Sequence, residues 1–384
     1  MYIIIDMNQR KYIKTFIDKR FFDMPPNKLN SFFTAKKFGV LDTKIEDIKP
    51  FIYLVNKTNI YDKFIVEHAF NFNHVFLKED AFQRILDGSI SKDEYKDLIN
   101  AVKTLKEAYV SIVLFPEKDY TVFGDFEKLS QKATNFLVKT TYNLKFIDIA
   151  GMFYAYPIWS PVHRKCDVKI NEVGIVPYVK YRSLSEEDAN FLINNSLPSS
   201  ASIYAKRMQL EILTNNRAAG LDRIIYCCPK CKTLFDVYSE YNCLKCNNCG
   251  SAIEIGQDGN ILFCNDVDTF DDLKAFQYEL LTKTIFAEKE LKSYNNTFYA
   301  TKIKTNKFKF IPGFRFSIMT DRIFFSKAGF SKEILIKNMK YVGLLPSNII
   351  SIILKDGSEF YFKGDGHENF YLLVDLFNIQ TNKN

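Results

Sequence analysis

Two C-x2-C pairs carry the most specific chemistry in this chain. Cys228-Pro-Lys-Cys231 and Cys246-Asn-Asn-Cys249 stand 14 residues apart, and Gly250 follows the second pair. Each pair can form a tight turn that aims two thiolates at one ion. Two such turns complete a tetrahedral set, which zinc accepts without geometric strain. Four thiolates leave no position open for substrate, so the motif reads as a structural zinc ribbon. Cys227 and Cys243 offer a competing register, because Cys243-Leu-Lys-Cys246 has the same spacing. A glycine after Cys249 suits the φ > 0 turn that ends a knuckle and favours the pair that stops there. The surroundings lack the dense basic and aromatic stretches of a nucleic-acid reader, so no nucleic-acid partner is expected.

A second constellation is Asn56-Lys57-Thr-Asn-Ile-Tyr-Asp62. The apolar run FIYLV (51–55) reads as a buried strand that feeds a turn presenting Lys57 and, five residues on, Asp62. A proton acceptor held by an orienting acid is the arrangement that activates a hydroxyl nucleophile. Lysine, however, is a cation at neutral pH, and an acid beside it favours the charged form. Two roles stay open for Lys57, a recruited base or an inert ion-pair partner of Asp62, and the ion pair is the expectation. Asn73-His74-x4-Glu79 offers a rival register with a true imidazole. His68 lies on the helix expected after Asp62, and His163 lies in a loop after Pro-Ile-Trp-Ser-Pro.

The elements that must position these groups are legible from periodicity. Strands are expected at 51–55, 75–77, 110–115 and 145–151, with helices after Asp62, at 78–86, 91–108 and 126–140. Residues 91–108 form the clearest amphipathic helix, with Ser91 as N-cap and Glu94 closing a capping box. Alternation of strand and helix predicts an α/β fold, a mostly parallel sheet flanked by helices. Beyond residue 222 come the cysteine cluster, a helical stretch over 271–291, and a β-rich region of short runs with a closing helix near 368–378. Asp356-Gly357 between apolar runs is a hairpin signal. The expected organisation is an α/β domain over 1–215, a zinc ribbon over 222–262, a helical connector over 266–292, and a small β-rich C-terminal domain over 295–384, pleckstrin-like in character.

With 384 residues, 47% of them hydrophobic and 15% aromatic, the chain is globular. A net charge of +7 suits an acidic ligand, a nucleic acid or an anionic membrane surface and decides among none of them. No stretch reaches the apolar length of a spanning helix. The start MYIIIDMNQRKYIK lacks the core of a signal peptide. A cytoplasmic location, peripheral on a membrane, is expected, with the cysteines serving metal rather than disulfides.

These motifs together resemble the glycerolipid acyltransferases of the lysophosphatidic acid type, closest to bacterial members that carry a zinc ribbon. LVNKTNIYD stands where that family has Asn-His-x4-Asp. VFLKEDAF (75–82), IVLFPEKDYT (112–121) and FIDIAGMFYAYPIW (146–159) resemble its later blocks in order and spacing, and NNRAAGLDRIIYCCPKC resembles the approach to the ribbon. The resemblance implies acyl transfer from acyl-CoA or acyl carrier protein to a lysophospholipid-type hydroxyl at a membrane. It assigns Lys57 and Asp62 to the catalytic pair, and Glu117 with Lys118 to the substrate side. Lys57 replaces the family's histidine, Glu94 falls at an arginine position, and Lys118 and Asp119 depart from the motif after Phe-Pro-Glu. The resemblance therefore also implies an alternative, a catalytically degenerate homologue that binds lipid, acyl carrier protein or another protein.

Overall fold

A computed structural model describes residues 16, 28–40, 42–197, 200–264, 267–284, 290–303, 307–364 and 366–381. The first fifteen residues, and residues 17–27 with Pro25 and Pro26, lie outside them. The chain forms two compact units. One takes the described residues up to Lys118 with Asp125–Met152 and Asp167–Tyr204, and the other takes Asp119–Gly124, Phe153–Cys166 and the described residues from Ala205.

In the first unit, β1 (Phe51–Val55), β2 (His74–Phe76), β3 (Ser111–Leu114), β4 (Asn143–Ala150) and β5 (Lys169–Val176) form one sheet in the order β2-β3-β1-β4-β5. The first four run parallel, and β5 pairs antiparallel with β4. Every residue of β1 and β3 is buried, the signature of strands covered on both faces. The helix Lys92–Glu107 buries Leu98, Ile99, Ala101, Val102 and Leu105 against this sheet, and the helix Gln131–Thr140 adds Ala133, Phe136 and Leu137. Each fully buried leucine or phenylalanine contributes roughly 1.5–3 kcal/mol. The second helix starts five residues later than its periodicity suggests, because Ser130 accepts from the Ala133 N–H and fixes the first turn there.

The second unit holds two sheets. β6 (Val237–Glu240), β7 (Cys243–Cys246), β8 (Ala252–Ile255) and β9 (Ile261–Leu262) form an antiparallel ribbon. β10 (Glu290–Ile303), β11 (Lys307–Met319), β12 (Arg322–Lys327), β13 (Phe330–Leu335), β14 (Met339–Leu345), β15 (Ile349–Leu354) and β16 (Glu359–Lys363) form a seven-stranded sheet in the order β13-β12-β11-β10-β16-β15-β14. It is a four-strand meander and a three-strand meander joined through the first and last strands. Gly357, at φ +87°, makes the β15–β16 turn that Asp356-Gly357 signalled. The closing helix is Tyr371–Thr381. The helix read over 271–291 is Phe270–Thr284, and Glu290 already belongs to β10. No helix among the described residues is long and apolar enough to cross a membrane.

The capping box forms as read: the Ser91 hydroxyl accepts from the Glu94 N–H at 3.2 Å and the Glu94 carboxylate accepts from the Ser91 N–H at 3.1 Å. Ser91→Ala should lower stability by about 1 kcal/mol, measured as a fall in the urea midpoint with an unchanged slope.

Candidate functional site

Parallel strands send their following loops out at one edge of the sheet, where α/β proteins place ligand sites. The loop after β1 is tied down first. The Asn56 amide donates to Asp148 Oδ1 at 2.7 Å, and its oxygen accepts from the Ile149 N–H at 2.8 Å. Asn56 thus clamps the end of β1 to the neighbouring strand β4 and leaves Lys57 to turn inward. Lys57 is only 6% exposed. Its ammonium donates to Glu79 Oε2 at 2.7 Å and to the Lys118 carbonyl at 3.2 Å.

The expected Lys57–Asp62 ion pair is therefore corrected. Lys57 pairs with Glu79, and Asp62 folds back onto its own turn. Asp62 Oδ2 accepts from the N–H groups of Thr58 and Asn59 at 2.5 and 2.8 Å, and Oδ1 accepts from the Thr58 hydroxyl at 2.8 Å. The reason is local. Asp62 begins the helix Asp62–Ala69, and the loop just before that helix brings the Thr58 and Asn59 N–H groups onto its carboxyl. Glu79 begins the helix Glu79–Leu86 just past β2, so the parallel sheet delivers it to the same edge as Lys57. The sequence displayed this residue in VFLKEDAF, but as the acid of the rival histidine motif.

That rival does not assemble. His74 opens β2 while Glu79 lies beyond its far end. The His74 Nδ1 sits 2.9 Å from the Phe72 carbonyl oxygen, its ring lies among Phe70, Phe72 and Phe76, and burial pushes its pKa down. His68 Nε2 lies 3.4 Å from the Lys44 ammonium. His163, in the second unit, stacks on Tyr156 with ring centres 3.8 Å apart.

Three buried carboxyls surround the lysine's end of the sheet. Burial raises Asp62 to about 7, against the hydrogen bonds of its turn and the Lys57 charge. Glu117, just past β3, is raised to about 8 by burial, against backbone N–H groups and the Lys57 charge. Asp148 is raised to about 7 by burial and then by the Asp62 charge. Glu117 Oε2 and Asp148 Oδ2 have no hydrogen-bond partner among the described residues. Sequence reasoning named Glu117 and missed Asp148, which reads as an ordinary strand position. The Lys118 side chain lines a separate 290 Å³ pocket with Leu86, Pro116, Glu127, Lys128 and Leu129. Glu94 is engaged by its capping box and by Arg84 at 2.8 Å. Asp119 belongs to the second unit, where it accepts from the Tyr341 hydroxyl.

In the second unit, Cys228, Cys231, Cys246 and Cys249 converge, with all four sulfurs within 4.8 Å of one another. The Cys228–Cys249 and Cys231–Cys246 sulfurs are 3.8 and 3.7 Å apart. A tetrahedron with metal–sulfur bonds of about 2.3 Å has edges of about 3.8 Å, so the set fits a metal ion. The competing register fails because Cys243 lies on β7 between Glu240 and Glu254, and Cys227 pairs with Leu234. Both knuckles end on a residue with positive φ, Lys232 at +62° and Gly250 at +68°. The turn signal was visible only at the glycine.

No protein-family model matches the chain, and no curated protein matches it. Among solved structures, the chain is similar to the crystal structure of the 1-acyl-sn-glycerophosphate (LPA) acyltransferase PlsC from Thermotoga maritima. The two are 17% identical over 44% of this chain and 77% of that one, with a TM-score of 0.33.

Between pH 4.5 and about 8 the native Glu117 holds a proton that the unfolded chain has released. This group's contribution to stability is therefore lost as pH rises through that window. Glu117→Gln removes the titration while keeping the shape. The variant should match the wild type near pH 5 and exceed it at pH 8 in urea unfolding. An equal offset at both pH values would contradict the assignment.

Proposed function

We propose that the first unit is an acyltransferase-like domain that binds its ligand without turning it over, and that the chain is a lipid-binding relative of the glycerolipid acyltransferases. One observation carries this reading, the Lys57 ammonium held 2.7 Å from Glu79. An ammonium offers three donors and no lone pair, so in this geometry it cannot take a proton from an acceptor hydroxyl. Asp62 has both oxygens committed to its turn and orients no base. The ligand class is an amphiphile of the lysophospholipid type on an anionic membrane surface. Two features support it: Phe32 and Phe33, 43% and 56% exposed on a helix that ends in Lys36-Lys37, and the net charge of +7. The two-meander sheet with its C-terminal helix supports the pleckstrin-like reading of the C-terminal region.

The decisive experiment combines an acyl-transfer assay with a binding assay. With acyl-CoA or acyl carrier protein as donor and lysophosphatidic acid as acceptor, the wild type and Lys57→Ala should both be inactive. Lys57→His should gain nothing, since Asp62 is not free to orient the new imidazole. The wild type should float with anionic vesicles at low salt, and added salt should release it by screening. Wild-type acyl transfer that disappears in Lys57→Ala would overturn the proposal, as would equal flotation with neutral and anionic vesicles.

For the cysteine centre we propose structural zinc, since four thiolates suit that ion and the set has no open position. Purified protein should carry about one zinc per chain. Cys228→Ser and Cys249→Ser should lose the metal and stability together, because ligand binding of this kind contributes folding free energy directly. Metal analysis by mass spectrometry and thermal unfolding check both.

A further inference from the structure

The two knuckles of the cysteine centre share more than their ligands. Two residues beyond the second cysteine of each stands a hydroxyl residue, Thr233 after Cys231 and Ser251 after Cys249. The Thr233 hydroxyl lies 3.2 Å from Cys231 Sγ. The Ser251 hydroxyl lies 3.1 Å from Cys249 Sγ and 3.4 Å from Cys228 Sγ. The backbone N–H of each hydroxyl residue is turned to the same sulfur as its side chain. On the first knuckle a third group joins, for the Asn248 amide donates to Thr233 Oγ1 at 2.7 Å and lies 3.7 Å from Cys231 Sγ.

The direction of these bonds depends on the state of sulfur. A thiol donates to a hydroxyl oxygen, whereas a metal-bound thiolate has no proton and only accepts. With the Thr233 oxygen already accepting from Asn248, its own O–H is left to point at Cys231. The relay Asn248 to Thr233 to Cys231 is thus polarised for a thiolate. Ser251 has one proton for two sulfurs, and the shorter contact assigns it to Cys249, the exposed ligand of the four.

We propose that Thr233 and Ser251 are positioning residues of the metal centre. Each donates a hydrogen bond to the second thiolate of its knuckle, withdraws electron density from that sulfur, and slows loss of the ion. The proposal rests on the metal reading of the four cysteines. Four thiolates around a divalent ion carry a net charge of −2, and donors to sulfur disperse it. Groups around a metal site that hydrogen-bond its ligands typically change affinity by about 10–100-fold.

The test uses the full chain loaded with zinc and, separately, with cobalt(II). Ser251→Ala and Thr233→Val should each release zinc to a chromophoric chelator about tenfold faster than the wild type. Ser251→Thr and Thr233→Ser, which keep the hydroxyl, should stay near the wild-type rate. In the cobalt form, loss of the hydroxyl should move the thiolate-to-cobalt charge-transfer band to lower energy, because the sulfur becomes more electron-rich. Asn248→Ala, which leaves both hydroxyls in place, should move the band in the same direction by less, and it keeps the test open should either hydroxyl variant fail to fold. Unchanged release and an unmoved band in the hydroxyl variants would overturn the proposal. A wild type that binds neither ion would instead overturn the metal reading itself.

Discussion

A cation buried at the end of a strand needs an acceptor within reach, and the working edge of the α/β unit is organised around that need. Lys57 leaves β1 pointing inward because Asn56 has clamped the backbone to β4. Lys57 is buried, so its ammonium takes oxygen partners from the protein. It finds Glu79, whose side chain is half exposed, and the Lys118 carbonyl. The buried acids nearby, Asp62 and Glu117, feel the same charge but are held by burial well above the ordinary carboxylate range. A single cation therefore divides the acids by solvent access: the wet one pairs with it, and the dry ones hold their protons to higher pH.

The second unit meets the same constraint differently. Arg164 is buried, and burial lowers it to about 9. Its guanidinium stacks on Trp159 at 4.8 Å and approaches the Tyr154 and Ala219 carbonyls at 3.5 and 3.4 Å. A delocalised cation with an aromatic face to cover it tolerates a dry site that a compact ammonium does not. The cysteine centre is the converse case, a cluster of sulfurs whose ionised form calls for a cation from outside the chain.

What the sequence revealed follows the range of the interactions. FIYLV is β1 to the residue, the Ser91 capping box is formed, the Asp356-Gly357 turn is made, and the four cysteines converge in the register marked by Gly250. All of these are decided within a few residues of chain. The partner of Lys57 is not. Spacing suggested Asp62, five residues away, but the loop that leads into its helix turns the Thr58 and Asn59 N–H groups and the Thr58 hydroxyl onto that carboxyl before it can reach a neighbour. Glu79 reaches Lys57 only because a parallel sheet aligns the exits of its strands, which is a tertiary fact. Asp148 was missed for the same reason. Alternation along β4 gives no sign that the strand's one acid is enclosed by the acids of other loops. The helix read over 271–291 overran the start of β10 at Glu290, because Glu290-Leu291-Lys292 suits a helix as well as a strand, while residues 285–289 lie outside the described ones.

Short excursions of the chain complicate its assembly in time. Segments 119–124 and 153–166 leave the α/β unit and return to it, and in between they count among the residues of the second unit. Asp119 accepts its hydrogen bond from Tyr341, and Phe123 packs on the ring of Tyr371. On a ribosome, segment 119–124 emerges more than two hundred residues before Tyr341 and Tyr371, whereas segment 153–166 meets Ala219, Arg223 and Phe270 much sooner. The α/β sheet can close once residue 204 is out, yet the segment after β3 must wait for its partners until close to the end of translation. For this protein the vulnerable interval in the cell is set by the distance along the chain between Asp119 and Tyr341.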